Sequence, residues 1–420
     1  MIGYVPVSKA AFNARVKQIR NESGDPFPEP VAWALGIGTF DDGELIDITF
    51  PHVNYKENLG SAAIVWGATQ VVPIGSYMTR WVTRDHLETL VLPMFASFVG
   101  DGEPHPNIEA FKTVDRITGS GVSYGRHYDP VLVVIPDLSQ PPENVGDARL
   151  RLELISRRIV EPNEINLDGI FKHLPLVAWT NYGPFIGESE HLQGIKEEMM
   201  RLWDYLHIYS LDKFPPMLDY VVPKRIHVGD MAQPPVRVAD AARVRLGAYL
   251  APGTTVMHEG FVNFNAGTLG PSMVEGRISQ GVTVGQNSDI GGGASILGTL
   301  SGGNKTRVSI GEDCLLEAES GLGIPVGDRV RVEAGLYIKS TTPVNLPFGG
   351  WYDNEFMLGV VRDDHNIIAN MPGDSTKWVK AETLAGISDA IFRRNTFNGR
   401  IEVIPRGDRI WGGLNAPLHG

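Results

Sequence analysis

The sequence predicts an N-terminal α/β region, a central all-β solenoid of hexapeptide repeats and a small C-terminal segment. Aliphatic residues recur at six-residue intervals between positions 244 and 336, which is neither the helical nor the strand period. Glycine is concentrated in the same stretch, since residues 251–340 hold 18 of the 48 glycines in the 420-residue chain. The preceding residues show ordinary helix and strand patterns instead. We therefore predict domains at 1–236, 237–342 and 343–420.

The N-terminal region combines amphipathic helical patterns with short apolar runs. Helices are predicted at 7–20, 85–99, 145–158 and 194–207, and strands at 31–40, 130–136 and 174–180. The region ends in the polar, proline-bearing stretch KRIHVGDMAQPPVRVAD, which places the first domain boundary near 225–238.

The hexapeptide period predicts a chain that turns a corner every six residues, with one aliphatic side chain pointing inward from each edge. Three edges form a triangular coil, and stacked coils pair their backbones at strand spacing. Glycine and asparagine suit the corners, where φ is often positive. At about 18 residues per coil, the region holds roughly five or six coils. A glycine-rich β-sandwich with accidental spacing is the alternative. The predicted inward residues are Val244, Leu250, Val256, Val262, Val274, Val284, Ile290, Ile296, Ile310, Leu316, Leu322, Ile324, Val330 and Leu336.

The repeat is interrupted at GTLSGGNKT, residues 298–306. An insertion between stacked coils must leave them as a loop, and its glycines allow that loop to move. Mobile loops beside rigid scaffolds often cover ligands. A passive surface loop is the alternative.

Composition excludes several classes of function. The net charge of −12 argues against a protein that binds nucleic-acid backbones. No apolar run reaches the roughly 18 residues that a membrane span requires, and the N-terminus lacks the pattern of a signal peptide. Cys314 is the single cysteine, so no intrachain disulfide can form. We expect a cytoplasmic protein with small-molecule ligands.

Long motifs extend over the solenoid and its flanks. They include MHEGFVNFNAGTLGPSMVEGRIS at 257–279, SDIGGGASILGTLSGG at 288–303 and VEAGLYI at 332–338. LDKFPPMLDYVVP, VRLGAYLAPGTTV, WVKAETLAG, IFRRNTFNG and LNAPLH continue the set. Together they closely resemble the tetrahydrodipicolinate N-succinyltransferase family, in the form found in actinobacteria and some proteobacteria. The first 200 residues resemble the family only loosely, and extra length relative to shorter members falls at the N-terminal side and at 343–375.

The resemblance implies a left-handed parallel β-helix and a homotrimer with active sites between subunits. It implies transfer of a succinyl group from succinyl-CoA, the co-substrate, to the amino nitrogen of tetrahydrodipicolinate. This small dicarboxylate belongs to the diaminopimelate route to lysine. The C-terminal segment would contact the CoA.

The resemblance assigns the catalytic role to Glu275, in Met-Val-Glu-Gly-Arg. A carboxylate can take the acyl group from a thioester or deprotonate the attacking amine, and the sequence leaves both roles open. Arg277 matches an acyl-CoA contact, and a guanidinium suits the free carboxylate of a succinyl group. Gly292 and Ser295 match further contacts, and the N–H groups of the glycine run could stabilise a developing oxyanion.

Later positions match family residues that contact the rest of the CoA. Their basic members supply the local positive charge that an acidic protein needs to bind phosphate groups. By resemblance, the CoA arm is lined by Ala318, Glu333, Ala334 and Thr341, and the nucleotide end meets Lys380, Arg393, Arg394, Asn395 and Thr396.

Glu259 matches a magnesium-binding position, where three carboxylates could share a cation on the trimer axis. The family's partner aspartate would fall at Ala242, and Asp240 lies two residues away. This departure weakens the case for Mg²⁺. The neighbouring His258 could act as a base, but we expect it to be a structural residue between coils.

Glu317 and Glu319 also depart from the family, which usually has glycine and asparagine there. Negative charge beside an anionic cofactor is unfavourable unless it is paired, and Arg331 and Lys339 are the candidates. The departures motivate an alternative, a related CoA-dependent N-acyltransferase with a different acceptor or acyl group in a specialised pathway. A third hypothesis is a non-catalytic scaffold protein, which would lose nothing when Glu275 is changed.

Overall fold

The computed structural model contains two compact units, residues 1–154 with 165–222, and residues 155–164 with 223–420. No helix in the described part of the chain is long and apolar enough to cross a lipid bilayer. The predicted helix at 194–207 lies outside the described residues. The structure describes residues 8–22, 24–41, 43–69, 73–76, 78–95, 105–119, 127–180, 183–186, 217–222, 236–300, 305–347, 355–363, 366–369 and 376–407.

A six-stranded antiparallel sheet forms the centre of the first unit. Its central pair runs in register from Ala32 opposite Ile135 to Phe40 opposite His127. The elements are α1 (Lys9–Arg20), β1 (Ala32–Asp41), β2 (Glu44–Thr49), β3 (Asn54–Tyr55), α2 (Leu59–Trp66), β4 (Pro73–Ser76), β5 (Thr79–Trp81), α3 (Arg84–His86), a π-helical turn (Leu87–Val91), α4 (Leu92–Phe95), α5 (Pro106–Thr118), β6 (His127–Ile135), α6 (Val145–Ser156), a 3₁₀ turn (Ile170–Lys172), β7 (Val177–Thr180), β8 (Gly183–Ile186) and β9 (Met217–Asp219).

Helix α1 follows from its sequence pattern. Phe12, Val16 and Ile19 are spaced along one face and are buried. Ser8 caps the helix, because its hydroxyl accepts a hydrogen bond from the Ala11 N–H at 3.2 Å. The helix predicted at 7–20 is confirmed.

Helix α6 is not amphipathic, contrary to the prediction for 145–158. Arg149 and Arg151 are buried together with its apolar residues. Nε of Arg149 lies 2.9 Å from Asp47, and Nε of Arg151 lies 2.6 Å from Asp147. These ion pairs allow charged side chains to occupy the interior, so the pattern of charge along the sequence does not mark an exposed face.

The second unit is dominated by three parallel sheets, here called sheets I, II and III, which the chain visits in that order and then repeats. Sheet I contains β11 (Ala248–Leu250), β14 (Ala266–Thr268), β17 (Thr283–Val284) and β20 (Ser309–Ile310). Sheet II begins with β10 (Arg237–Val238), β12 (Thr255–Val256), β15 (Ser272–Val274), β18 (Ser288–Ile290), β21 (Leu315–Leu316) and β23 (Arg331–Val332). Sheet III contains β13 (Phe261–Val262), β16 (Arg277–Ile278), β19 (Ser295–Ile296), β22 (Gly321–Leu322) and β24 (Tyr337–Ile338). One pass through the three sheets is called a coil.

All fourteen predicted inward residues are buried. The prediction of one inward side chain per edge is wrong, because most edges bury two. Val282 and Val284 are both fully buried, as are Val330 and Val332. The six-residue period shifts at Val330 because Val330 occupies the buried position two residues before Val332, which is the inward residue of the strand itself.

The predicted loop at 298–306 corresponds to a change in coil length. Arg277 pairs with Ser295, 18 residues later, whereas Ser295 pairs with Gly321, 26 residues later. The extra residues begin at an antiparallel bridge between Thr299 and Arg307. The strands before and after the insertion stay parallel, so the coil stack continues in register after it. Residues 301–304 of the predicted loop lie outside the described residues.

The C-terminal part packs on the same hydrophobic core as the coils. Strand β28 (Ala390–Arg394) extends sheet II, with Ile391 opposite Arg331 and Phe392 opposite Val332. This covers β23, the last coil strand of sheet II, which would otherwise leave unpaired backbone groups. The remaining elements of the second unit are a 3₁₀ turn (Ala241–Arg243), β25 (Pro343–Leu346), α7 (Glu355–Arg362), β26 (Ile367–Ala369), β27 (Lys377–Lys380), a 3₁₀ turn (Ala381–Leu384), β28 (Ala390–Arg394) and β29 (Ile401–Pro405).

Two adjacent leucines test the inward assignment. Leu316 is fully buried, whereas Leu315 on the same strand is half-buried. We expect Leu316→Ala to lower the free energy of unfolding by about 2–5 kcal/mol, because it leaves a cavity. Leu315→Ala should cost clearly less. Denaturant unfolding of both variants measures this, and equal losses would contradict the assignment.

Candidate active site

Glu275 occupies the turn that follows sheet II, here called corner II–III. Its N–H and that of Gly276 both donate to the Ile290 carbonyl, at 2.8 and 2.9 Å. The same position in the following coils is held by Gly291, Glu317 and Glu333. The N–H groups of Gly291 and Glu317 bond to the next coil, and that of Glu333 bonds to Phe392 on β28. Backbone pairing therefore stacks these four residues in one column, with one residue per coil.

Glycines keep the space beside Glu275 open. A Cβ at Gly292 would lie 3.5 Å from Oε2 of Glu275, so a longer side chain there would grow against the carboxylate. A Cβ at Gly276 would press on the carbonyl oxygens of Ala294 and Gly291. Among the described residues, the N–H of Gly292 donates to no backbone carbonyl.

Asp289 is a further carboxylate near Glu275 and is not among the site residues predicted from the sequence. It lies opposite Met273 on one neighbouring strand and Leu315 on the other. Burial, and then the negative charge of Glu275, raises the pKa of Asp289 to about 6. The signal was available in the repeat, since Ile290 points inward and its neighbour on a strand must point outward.

Arg277 and Ser295 lie side by side on the outer face of sheet III. They are Cα partners on β16 and β19, and Ser295 in turn is the partner of Gly321. Arg277 is exposed, and Ser295 is half-buried. The next residue in this row, Tyr337, lies against Gly321, where any Cβ would collide with its ring. This face therefore adjoins Glu275 and stays accessible near it.

Glu317 forms an ion pair with Arg331, one of the two partners that the sequence suggested. Its Oε2 also accepts a hydrogen bond from the Ala334 N–H at 3.1 Å. Glu319 is exposed and has a φ of 58°, in the left-handed region that asparagine or glycine more often occupies. The additional negative charge of Glu317 is thus neutralised within the coil stack.

Glu333 connects the coils to the C-terminal hairpin. Its Oε2 accepts a hydrogen bond from the Arg394 N–H at 2.7 Å. Arg393 pairs with the buried Glu402 at 2.6 Å, so its charge is compensated. The Arg394 guanidinium donates to the Gly399 carbonyl at 3.1 Å, and no carboxylate in the described part of the chain pairs with it.

The turn at the tip of this hairpin is ordered by Asn395. Its side-chain oxygen accepts hydrogen bonds from the N–H groups of Phe397 and Asn398, at 3.0 and 3.4 Å. Thr396 is exposed, and Phe397 is 99% exposed. Asn395 therefore stabilises the turn at the tip of the hairpin, and the predicted contact with the ligand would be a second role.

Thr341 and Lys380 lie together at the turn after sheet III. The Ala381 N–H donates to the Thr342 carbonyl at 2.9 Å, which fixes the end of β27 beside this turn. Lys380 and Thr341 are both exposed, and Lys380 Nζ lies 3.6 Å from Glu382. The predicted contacts thus follow the outer face of sheet III and the turns on its two sides.

Glu259 and His258 are both exposed, by 75% and 77% of their side chains. His258 is therefore not packed between coils, and the expectation of a structural histidine is wrong for this chain. Asp240 uses its carboxylate to accept from the Ala242 N–H at 2.9 Å. The described residues contain no cluster of three potential metal ligands. Glu259 is exposed and lacks the partner aspartate that the family would have at Ala242, so it does not fit a magnesium site. We assign no role to Mg²⁺.

Comparison with known proteins identifies both regions of the chain. The family described as "Tetrahydrodipicolinate N-succinyltransferase N-terminal" matches residues 10–172. The family described as "Hexapeptide repeat of succinyl-transferase" matches residues 307–340. The first match corrects the impression of a loose N-terminal resemblance.

Curated relatives match most of the chain. A protein from Pseudomonas putida, named 2,3,4,5-tetrahydropyridine-2,6-dicarboxylate N-succinyltransferase, is 48% identical over 313 residues, which are 74% of this chain and 80% of the relative. A protein of the same name from Vibrio cholerae is 46% identical over 290 residues, covering 69% and 74%.

A solved structure shares the fold along nearly the whole length. It is described as a 2,3,4,5-tetrahydropyridine-2-carboxylate N-succinyltransferase from Campylobacter jejuni, with 29% identity and a TM-score of 0.74. The match covers 96% of this chain and 99% of the other. The protein from Campylobacter jejuni therefore has nearly the same length as this chain. Together these similarities show that the chain belongs to the 2,3,4,5-tetrahydropyridine-2,6-dicarboxylate N-succinyltransferase family.

Proposed function

We propose that this protein transfers a succinyl group from succinyl-CoA to the amino nitrogen of ring-opened tetrahydrodipicolinate, a step of lysine biosynthesis through diaminopimelate. The observation that carries the proposal is the 48% identity, over 313 residues, to a protein named for this reaction. The proposed use of an acyl-CoA in amino-acid biosynthesis supports a cytoplasmic location, where the buried thiol of Cys314, the single cysteine, stays reduced.

The proposed architecture is a left-handed parallel β-helix that assembles as a homotrimer. Three parallel sheets visited in turn and the hexapeptide match at 307–340 support the helix. The trimer is supported by the site itself, because the outer face of sheet III is open and a neighbouring coil stack would turn it into a groove. Each active site would then lie between two subunits.

Glu275 is the proposed catalytic carboxylate. In the reaction, the amine lone pair attacks the thioester carbonyl, a proton leaves the nitrogen, and the C–S bond breaks to release CoA thiolate. As a base, Glu275 would accept that proton and pass it to the thiolate sulfur. As a nucleophile, it would first take the succinyl group as an anhydride, which the amine then opens. The open space above Gly292 gives the reacting carbonyl access in both cases.

The residues around Glu275 would orient the acyl group. Arg277, exposed on the outer face of sheet III, is the proposed partner of the free succinyl carboxylate. Ser295 lies beside it and can add a hydroxyl contact. The Gly292 N–H is the proposed donor to the carbonyl oxygen, which gains negative charge as the amine attacks.

The CoA arm is proposed to run along Ala318, Glu333, Ala334 and Thr341. Small side chains at Ala318 and Ala334 leave room along corner II–III. Its nucleotide end would meet Lys380 and the turn that contains Arg393, Arg394, Asn395 and Thr396. Arg394 is the main proposed phosphate contact, since Glu402 already compensates Arg393.

The surroundings of Glu317 do not favour the alternative of an enzyme with a different acceptor or acyl group. That alternative rests on Glu317 and Glu319 together with Ala242 and the added segments. The part that rests on Glu317 requires an unpaired carboxylate near the CoA. The ion pair with Arg331 removes the excess charge, so Glu317 is compatible with the same anionic ligand.

Glu275→Gln should reduce acceptor-dependent thiol release from succinyl-CoA by about 10²–10⁴-fold, because the amide can neither take a proton nor attack. L-2-aminopimelate serves as the acceptor, and Glu312→Gln, on a different corner, is the matched control. Retained activity in Glu275→Gln would overturn the catalytic assignment. Mass spectrometry of wild-type protein mixed with succinyl-CoA alone separates the two roles, since only the nucleophile forms a succinylated enzyme.

Arg277→Ala should remove the preference for an acyl group that carries a carboxylate. We expect succinyl-CoA turnover to fall by about 10–100-fold while turnover of butyryl-CoA, which has four acyl carbons but no second carboxylate, changes little. Measuring kcat/KM for both donors makes butyryl-CoA the internal control. A parallel fall for both donors would mean that Arg277 does not read the carboxylate.

Assembly is tested by mass. Light scattering at micromolar concentration should give three times the chain mass of 45.9 kDa. A fully active monomer would contradict the proposed site between subunits.

A further inference from the structure

Phe397 is exposed to a degree that no other large apolar side chain in the described part of the chain approaches. Its exposed fraction is 99%, and the next highest, that of Phe171, is 47%. Thr396 and Asn398, the residues on either side of it, are polar and also exposed, so no apolar patch surrounds the ring. Water is an unfavourable environment for a phenyl ring, so the position of this side chain needs an explanation.

The exposure of Phe397 is fixed by the backbone of the turn that carries it, residues 395–400, here called the hairpin tip. The Asn395 N–H donates to the Arg400 carbonyl, and the Gly399 N–H donates to the Asn395 carbonyl, both at 2.8 Å. The side-chain oxygen of Asn395 accepts a hydrogen bond from the Phe397 N–H at 3.0 Å. The ring is therefore held away from the rest of the chain by an ordered turn.

The hairpin tip also carries a positive charge beside the ring. The Arg394 guanidinium donates to the Gly399 carbonyl at 3.1 Å, so it lies against the hairpin tip, and no carboxylate in the described residues pairs with it. The Arg394 N–H donates to Glu333, which joins the hairpin tip to the column at corner II–III. An unpaired guanidinium next to an exposed aromatic ring suits a nucleotide, because the cation attracts phosphate and the ring stacks on a base.

We propose that Phe397 stacks on the adenine ring of the CoA substrate. The inference rests on the proposed function and adds a residue that determines how the nucleotide end is bound. The order of the groups along CoA matches the order of the proposed contacts. The thioester lies at Glu275, the arm passes Ala318 and Ala334, and the phosphates meet Arg394. The adenine comes after the diphosphate, as Phe397 comes after Arg394 on the hairpin tip.

A protein partner fits the surroundings of Phe397 less well. A stable protein interface covers roughly 800 Å² on each side and surrounds its anchoring aromatic residues with further contacts. The residues around Phe397 are small or polar instead, namely Thr396, Asn398 and Gly399. A flat aromatic ligand needs only one face of the ring, so adenine matches the size of this feature.

The kinetic test compares two donors that share the reacting thioester, with L-2-aminopimelate as the acceptor. The succinyl thioester of 4′-phosphopantetheine keeps the arm and one phosphate of CoA but has no adenine. Phe397→Ala should lower kcat/KM for succinyl-CoA by about 5–10-fold, through KM, which is the lower end of the range for stacking a base on an aromatic side chain. The value for the truncated donor should not change. A parallel loss with both donors, or no loss with either, would overturn the proposal.

Two further substitutions separate stacking from general apolar contact. Phe397→Trp keeps a flat ring and should bind succinyl-CoA at least as tightly as wild type, whereas Phe397→Leu is apolar but not flat and should behave like Phe397→Ala. CoA should quench the added tryptophan fluorescence, and 4′-phosphopantetheine should not. A leucine variant with the wild-type KM would overturn stacking. Phe171→Ala, at the next most exposed phenylalanine, is the matched control and should alter turnover of neither donor.

Calorimetry separates this inference from the proposed function, because it measures binding without turnover. Free CoA should bind to wild type about 5–10-fold more tightly than to Phe397→Ala, while 4′-phosphopantetheine binds equally to both. Equal binding of CoA to both proteins would overturn the stacking alone. Wild type that binds CoA as expected but releases no thiol from succinyl-CoA would contradict the proposed reaction and support the stacking. A wild type that binds no CoA would overturn both.

Light scattering tests the remaining explanation, a contact between subunits. Phe397→Ala should have the same mass as wild type, because the ring contacts a small ligand and its removal leaves the fold unchanged. A lower mass for the variant would assign Phe397 to the assembly and overturn the proposal.

Discussion

The hydrogen bonds between successive coils are the constraint on which the second unit depends. The strands of its coils are only two or three residues long, so none could persist without the strands on either side of it. The bonds from Glu275 and Gly276 to Ile290, and from Arg277 to Ala294, fix the register of every side chain between them. Residues at the same position of successive coils therefore stack in a column, and each column lies either in the core or on the surface.

The repeat was predictable because its signal is local. Every proposed inward residue is buried, and the insertion at 298–306 lengthens one coil as expected. The number of inward positions per edge was not predictable in the same way, since small residues such as Ala294 also fill the second position. The environment of Asp289 depends on Met273 and Leu315 in other coils, so it becomes visible only when the register is known.

The first unit shows where pattern reasoning fails for a different reason. The pairing of β1 with β6 joins segments far apart in the chain, and no local period records it. Arg149 and Arg151 look like the polar side of a surface helix, yet Asp47 and Asp147 allow both to be buried. Charged residues along a helix indicate an exposed face only when no oppositely charged residue in the interior pairs with them.

The column at corner II–III also acts as a ruler. Adjacent strands lie about 4.8 Å apart, so the three steps from Glu275 through Gly291 and Glu317 to Glu333 span roughly 14 Å. An elongated ligand bound along this column would contact one coil with its reactive end and another coil with its charged end. The number of coils between these two positions would then set the length of ligand that fits. Adding or removing one coil between these two positions would change the accepted length without altering the surroundings of Glu275, so the length of the ligand and the chemistry at its end can evolve separately.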